Sequence, residues 1–178
     1  MTVNYLEEDF RFATKPQVQS YSAEDLKRFP HIDGFNLTQL LDQIDGQVLS
    51  SKAEGRRFQA LIEAPGGTAL CLAHHLKTYE NLKLCPELEI YLTDNFDDVL
   101  ISQLRQLPIV KEVTTDYLSK VPRGRYVIIA DKVPRSSPVA LDLNDPRCLI
   151  CYDPDRQLVD PAGGRYFMNS NVWVRRGN

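Results

Sequence analysis

Apolar residues recur along this chain in two rhythms. Around Asn36–Gly46, Leu37, Leu40, Leu41 and Ile44 form one stripe at helical spacing, with Asn36 able to cap the start and Gly46 suited to a left-handed stop. A second helix is predicted from Asp94 or Asn95 to about Leu107. Phe96, Val99, Leu100, Gln103, Leu104 and Leu107 line its inner side, Asp97 and Asp98 favour its N-terminal dipole, and Pro108 marks its end. A shorter helix begins at Ser22 and stops before Pro30. The other rhythm has period two. Arg57–Ala64 puts Phe58, Ala60 and Ile62 on one face, Leu88–Leu92 does the same with Leu88, Ile90 and Leu92, and Ile109–Val113 is a further short strand. Pro65-Gly66-Gly67 reads as a turn. Residues 68–80 fit either a helix or a buried strand.

From Arg125 to Val174 the apolar runs become short and are separated by Pro, Gly, Asp and Ser: Arg-Tyr-Val-Ile-Ile-Ala, Pro-Val-Ala-Leu-Asp-Leu, Arg-Cys-Leu-Ile-Cys-Tyr and Arg-Tyr-Phe-Met-Asn-Ser-Asn-Val-Trp-Val. Hairpin spacing of this kind predicts an antiparallel sheet. Helices first, mixed elements next and strands last argue for one α+β domain, its sheet mostly antiparallel and its helices packed on one side. That domain is expected over 21–178, with 1–20 as an N-terminal arm or added strand.

Composition narrows the classes. The chain has 178 residues, 43% hydrophobic and 25% charged, with a formal charge of −3. Apolar runs fall well short of a membrane span, and an acidic N-terminal cluster takes the place of a signal peptide's basic start, so a cytoplasmic protein is expected. The four cysteines then read as reduced thiols. Negative net charge disfavours nucleic acid as partner, and Arg56, Arg57, Arg123, Arg125, Arg175 and Arg176 occur in scattered pairs without an aromatic platform.

Chemistry-bearing clusters are few. Cys148 and Cys151 have Cys-x-x-Cys spacing, but on a strand their sulfurs would diverge to opposite faces, which favours core cysteines over a redox pair or zinc site. Cys71, His74 and His75 could form half a zinc site on a helix, and a metal-dependent hydrolase using His74, His75 and nearby acids is the enzyme alternative. No metal and no cofactor are nevertheless expected. Asp142, Asn144, Asp145, Asp153, Asp155 and Asp160 have turn composition. The two Gly-Gly pairs lack the spacing of phosphate-cradling loops. Glu87, Glu89, Asp94, Asp97 and Asp98 form an acidic stretch with no basic residue, suited to docking against a basic protein.

Pro138-Val-Ala-Leu-Asp-Leu-Asn, Cys148-Leu-Ile-Cys-Tyr-Asp-Pro-Asp and Tyr166-Phe-Met-Asn-Ser-Asn together resemble the strand core of the SUKH superfamily. The resemblance implies a non-catalytic immunity protein that neutralises a toxin, often a nuclease or deaminase, by stoichiometric binding. A basic toxin domain would be met by the acidic stretch. A structural subunit of a larger assembly, docked through the first twenty residues, is the remaining alternative.

Overall fold

The computed structural model describes residue 32 and residues 34–82, 86–93, 97–115, 126–131, 143, 147–160 and 163–176. The expected helix after Ser22, the arm over 1–20, the loop residues Asp142, Asn144 and Asp145, and Asp94 lie outside them. Helix α1 (Gly34–Ala53) leads into β1 (Gln59–Ala64), α2 (Gly66–Lys77), a 3-10 turn (Thr78–Leu82) and β2 (Glu87–Leu92). Helix α3 (Asp98–Arg105), β3 (Val110–Thr114), β4 (Tyr126–Ile129), β5 (Cys148–Tyr152), β6 (Tyr166–Asn169) and β7 (Val172–Arg175) follow. The ambiguous 68–80 stretch is therefore helical, and Pro65 is the residue that caps it.

All seven strands join one sheet in the order β3-β2-β1-β4-β5-β7-β6. The α+β class holds, but the antiparallel expectation is overturned for most of the sheet. β3, β2, β1, β4 and β5 run parallel, and β7 alone runs against them, pairing antiparallel with both β5 and β6. The reason is burial. Strands covered on both faces read as continuous apolar runs, as Val127-Ile-Ile-Ala and Cys148-Leu-Ile-Cys-Tyr do, and short runs imitate a meander when only their spacing is considered.

The described helices all pack on one face, as expected. Leu37, Leu40 and Ile44 of α1, Leu70, Leu72 and Leu76 of α2, and Leu100 and Leu104 of α3 share a core with Ala60, Ile62, Leu88, Ile90 and Ile128. Right-handed crossovers from β1 to β2 to β3 move in one direction along the sheet, which sets α2 and α3 on the same side. Each fully buried leucine contributes roughly 1.5–3 kcal/mol. The other face carries Leu61, Tyr91, Val127, Ile129, Leu143, Cys148, Cys151 and Tyr166.

Two local readings change. Val99, expected inside α3, is exposed, while Asp97 rather than Asp94 or Asn95 caps that helix, its carboxylate accepting from the Val99 and Leu100 amides. Gly46 does not end α1. The helix runs to Ala53 and stops at Gly55 (φ 71°), where the Gly55 amide donates to Lys52 O and the Arg56 amide to Ser51 O. That paired closure is a Schellman motif. Gly46 is left exposed in mid-helix with open space where a Cβ would stand. Gly46→Ala is expected to stabilise the fold by about 0.5–1 kcal/mol. Urea denaturation would detect the gain, and an unchanged or lower midpoint would contradict this account of the helix.

Candidate functional site

Strand order determines where a crevice can form. From β1 the chain winds outward through β2 to β3, then returns past β1 to lay down β4 and β5 on the other side. The connections that leave the carboxyl ends of β1 and β4 therefore run in opposite directions, and in open α/β sheets that switch point is where ligands bind. The Glu63 carbonyl accepts from the Ala130 amide at 2.8 Å and the Ala64 carbonyl from the Thr93 amide at 3.0 Å, so β1 is tied to both neighbours up to its last residue.

Beyond that point the chain reads Pro65-Gly66-Gly67-Thr68 and enters α2 at once. Both glycines are buried inside the first helical turn. Glycine costs a helix about 1 kcal/mol relative to alanine. Two in succession at the switch point keep the backbone bare where a ligand would approach, as the glycines of nucleotide-binding βα turns do. The amino terminus of α2 also presents amide N–H groups and a partial positive charge. Thr68 Oγ1 accepts from the Ile32 amide at 2.9 Å, which brings the chain just ahead of α1 to the same place.

Carboxylates gather around this end of the sheet. Glu63 is fully buried at the end of β1, on the face opposite the helices between its strand neighbours Tyr91 and Ile129. Asp131 follows β4, and Asp97 and Asp98 open α3. Asp153, buried after β5, accepts from the amides of Gln157 and Leu158 and from Trp173 Nε1, all within 3.0 Å. It fixes the loop after β5 against the β6–β7 hairpin, whose Asn171 carbonyl accepts from the Asp153 amide. Turn duty, expected for Asp153 and Asp160, is what both do; Asp160 accepts from the amides of Gly164 and Tyr166.

The acidic docking stretch does not form one patch. Glu87 starts β2 at the amino edge, ion-paired with Arg57, and Gln59 and Arg57 together hold its carboxyl below the usual range. Glu89 lies within the strand. Asp97 and Asp98 lie past the opposite end of β2, and Asp97 is already engaged as a cap.

The cysteine and histidine clusters resolve differently. Cys148 and Cys151 both pack against the second face, because a bulge at Leu149 turns Leu149 and Ile150 toward the helices. The expected divergence of the sulfurs is thus wrong, yet both side chains are fully buried, as expected of core cysteines. Cys71 is buried in the helix-side core. His75, 3% exposed, places Nε2 2.7 Å from Asp45 Oδ1, the atom to which the Tyr79 hydroxyl also donates. This contact ties α1 to the end of α2, at the opposite end of that helix from the glycines. No three metal-ligating side chains converge among the described residues. None of the described helices is long and apolar enough to cross a membrane.

Sequence reasoning missed the switch point altogether. The signal was present as Glu-Ala-Pro-Gly-Gly between a strand and an apolar segment, but it gained meaning only once that segment was known to be a helix. No protein-family model matches the chain, and no curated protein or solved structure shows significant similarity to it.

Burial, with Lys77 adding to the effect, lowers the His74 pKa to about 4. The unfolded chain takes up this proton near pH 6.5 while the folded chain does not, so stability falls as pH drops from about 6.5 to about 4. In His74→Gln that part of the decline should disappear from urea midpoints measured across this range; an unaltered slope would refute the assignment.

Proposed function

We propose that the crevice at the carboxyl ends of β1 and β4 binds a nucleoside cofactor with a positive centre and no phosphate, and that the chain is a methyltransferase of the S-adenosylmethionine class. The observation that carries this reading is the switch point itself, with a buried Gly66-Gly67 pair opening α2 directly after β1.

The surrounding charges select among nucleoside cofactors. A pyrophosphate would want a glycine-rich turn of wider spacing and cations nearby. Here the crevice end carries Glu63, Asp97, Asp98, Asp131 and Asp153, with Arg156 as the basic residue at that end among the described positions. Carboxylates repel phosphate and favour the ammonium and sulfonium groups of S-adenosylmethionine. The acidic residue that commonly meets a ribose hydroxyl follows β2 in folds of this order, where the sequence continues from Thr93 into Asp94. When bound, the sulfonium would supply an activated methyl group, whose transfer leaves the bonding pair on sulfur and releases a proton from the acceptor. Asp131, just after Ala130 at the end of β4, is the carboxylate suited to receive that proton.

Toxin neutralisation by docking would use Asp94, Asp97 and Asp98, and is supported by the exposure of Asp98 beside Val99. Reversal of Asp98 tests it more cleanly than reversal of Asp97, because losing the Asp97 cap alone would cost about 0.5–2 kcal/mol.

Thermal unfolding with S-adenosylmethionine, S-adenosylhomocysteine, NAD and ATP separates these readings. At a hundredfold excess over its dissociation constant, a specific ligand stabilises by about 2.7 kcal/mol, a rise of roughly 5–10 °C for a chain of this size. The expected outcome is such a rise with the two adenosyl compounds, absent with NAD and ATP and reduced in Asp131→Ala. No rise with any of the four, or a rise confined to NAD or ATP, would sink the proposal.

A further inference from the structure

The amino edge of the sheet has the opposite character. Because β7 runs against β4 and β5, its last residues, Arg175 and Arg176, emerge beside the start of β4 rather than at the crevice. The Schellman closure of α1 delivers Arg56 to the same spot. The Arg56 guanidinium lies 5.7 Å from the ring centre of Tyr126 and donates to its hydroxyl, while that of Arg175 lies 5.2 Å from the same ring. Arg176 sits 5.4 Å from the ring centre of Phe167. Scattered arginine pairs thus converge on two aromatic platforms along a groove of about 500 Å³, whose other wall is α1 with Gln43, Gln47 and Ser50. Arg165 adjoins it, its carbonyl accepting from the Arg176 amide. Glu54, ion-paired with Arg56, is the acid at this groove among the described residues, and Glu87 nearby is held by Arg57.

We propose that this groove binds the backbone of single-stranded nucleic acid. Guanidiniums stacked on rings, as those of Arg175 and Arg176 are, have their planes fixed, which suits bidentate contacts to phosphate oxygens, while Arg56, whose Nε, Nη1 and Nη2 already donate to Glu54 and the Tyr126 hydroxyl, steadies the Tyr126 ring. The outer face of a stacked guanidinium also accepts an unstacked base. A carboxylate peptide would satisfy the charges but leave the stacking planes unused. A duplex would need an element that projects into its groove, and no helix or hairpin projects from this edge among the described residues. The amides of Gln43 and Gln47 offer neutral donors and acceptors for base edges along the facing wall. The inference is independent of the cofactor reading, since it uses none of the crevice residues.

Fluorescence anisotropy with a labelled oligouridylate tests it. Wild-type protein is expected to bind, with affinity falling steeply from about 50 to about 200 mM salt. Arg175→Ala/Arg176→Ala should weaken binding about tenfold or more at the lower salt and flatten the salt dependence by roughly two contacts. Arg105→Ala/Lys111→Ala, at the far edge near β3, should change neither. Arg175→Lys/Arg176→Lys keeps both charges on a fold with minimal disturbance. It should retain the salt slope yet lose affinity about threefold or more, because lysine does not stack or fork. Absent binding, binding insensitive to salt, equal loss in the far-edge variant, unchanged affinity in the lysine variant, or polyglutamate competing as well as unlabelled oligonucleotide would each overturn the proposal.

Discussion

Everything in this molecule is arranged around the carboxyl end of β1. That strand is hydrogen-bonded on both flanks to its final residues, through Glu63 O to Ala130 N and Ala64 O to Thr93 N. Because the chain leaves it outward through α2 and later returns on the other side, the two halves of the sheet part there. The parting is where a crevice can form in an otherwise continuous layer, and Gly66-Gly67 after Pro65 lets a helix begin there without a side chain in the way. If β4 paired elsewhere, the glycines would open onto an ordinary βα turn and the carboxylates of β1 and β4 would not share an end.

Strand direction also sorts the charge. Parallel strands deliver their trailing acids, Glu63, Asp131 and Asp153, to one edge, whereas the reversed strand β7 sends Arg175 and Arg176 to the other. A net charge of −3 conceals this polarity. An acidic crevice suits a cationic cofactor, and a basic groove at the opposite edge suits a polyanion. Both surfaces depend on the same topology, although neither requires the other to function.

Much of the secondary structure was legible because periodicity reports burial directly. Leu37, Leu40, Leu41 and Ile44 are buried as their spacing implies, and so are Leu88, Ile90 and Leu92. Pairing was not legible, because a run such as Val127-Ile-Ile-Ala says that both faces are covered but not in which direction its neighbours run. The bulge at Leu149 carries no sequence mark and defeats a strict alternation argument for Cys148 and Cys151. Arg56, Tyr126 and Arg175 are distant in sequence and meet only through the crossover, so the pairs looked scattered. Gly46 misled for a simpler reason: glycine signals a helix stop only if nothing beyond it continues the stripe, and Val48 does. Within the acidic stretch, the length of β2 separates Glu87 from Asp97 and Asp98, a distance that a sequence run does not report.

The central claim is that a nucleoside sulfonium occupies the switch point. Amide chemical-shift mapping of isotopically labelled protein during titration with S-adenosylmethionine tests it most directly. The account predicts that the largest shifts fall on Gly66, Gly67, Thr68, Thr93 and Asp131, while Arg56 and Arg176 at the opposite edge stay unmoved. Shifts centred on that opposite edge, or none at saturating ligand, would contradict it.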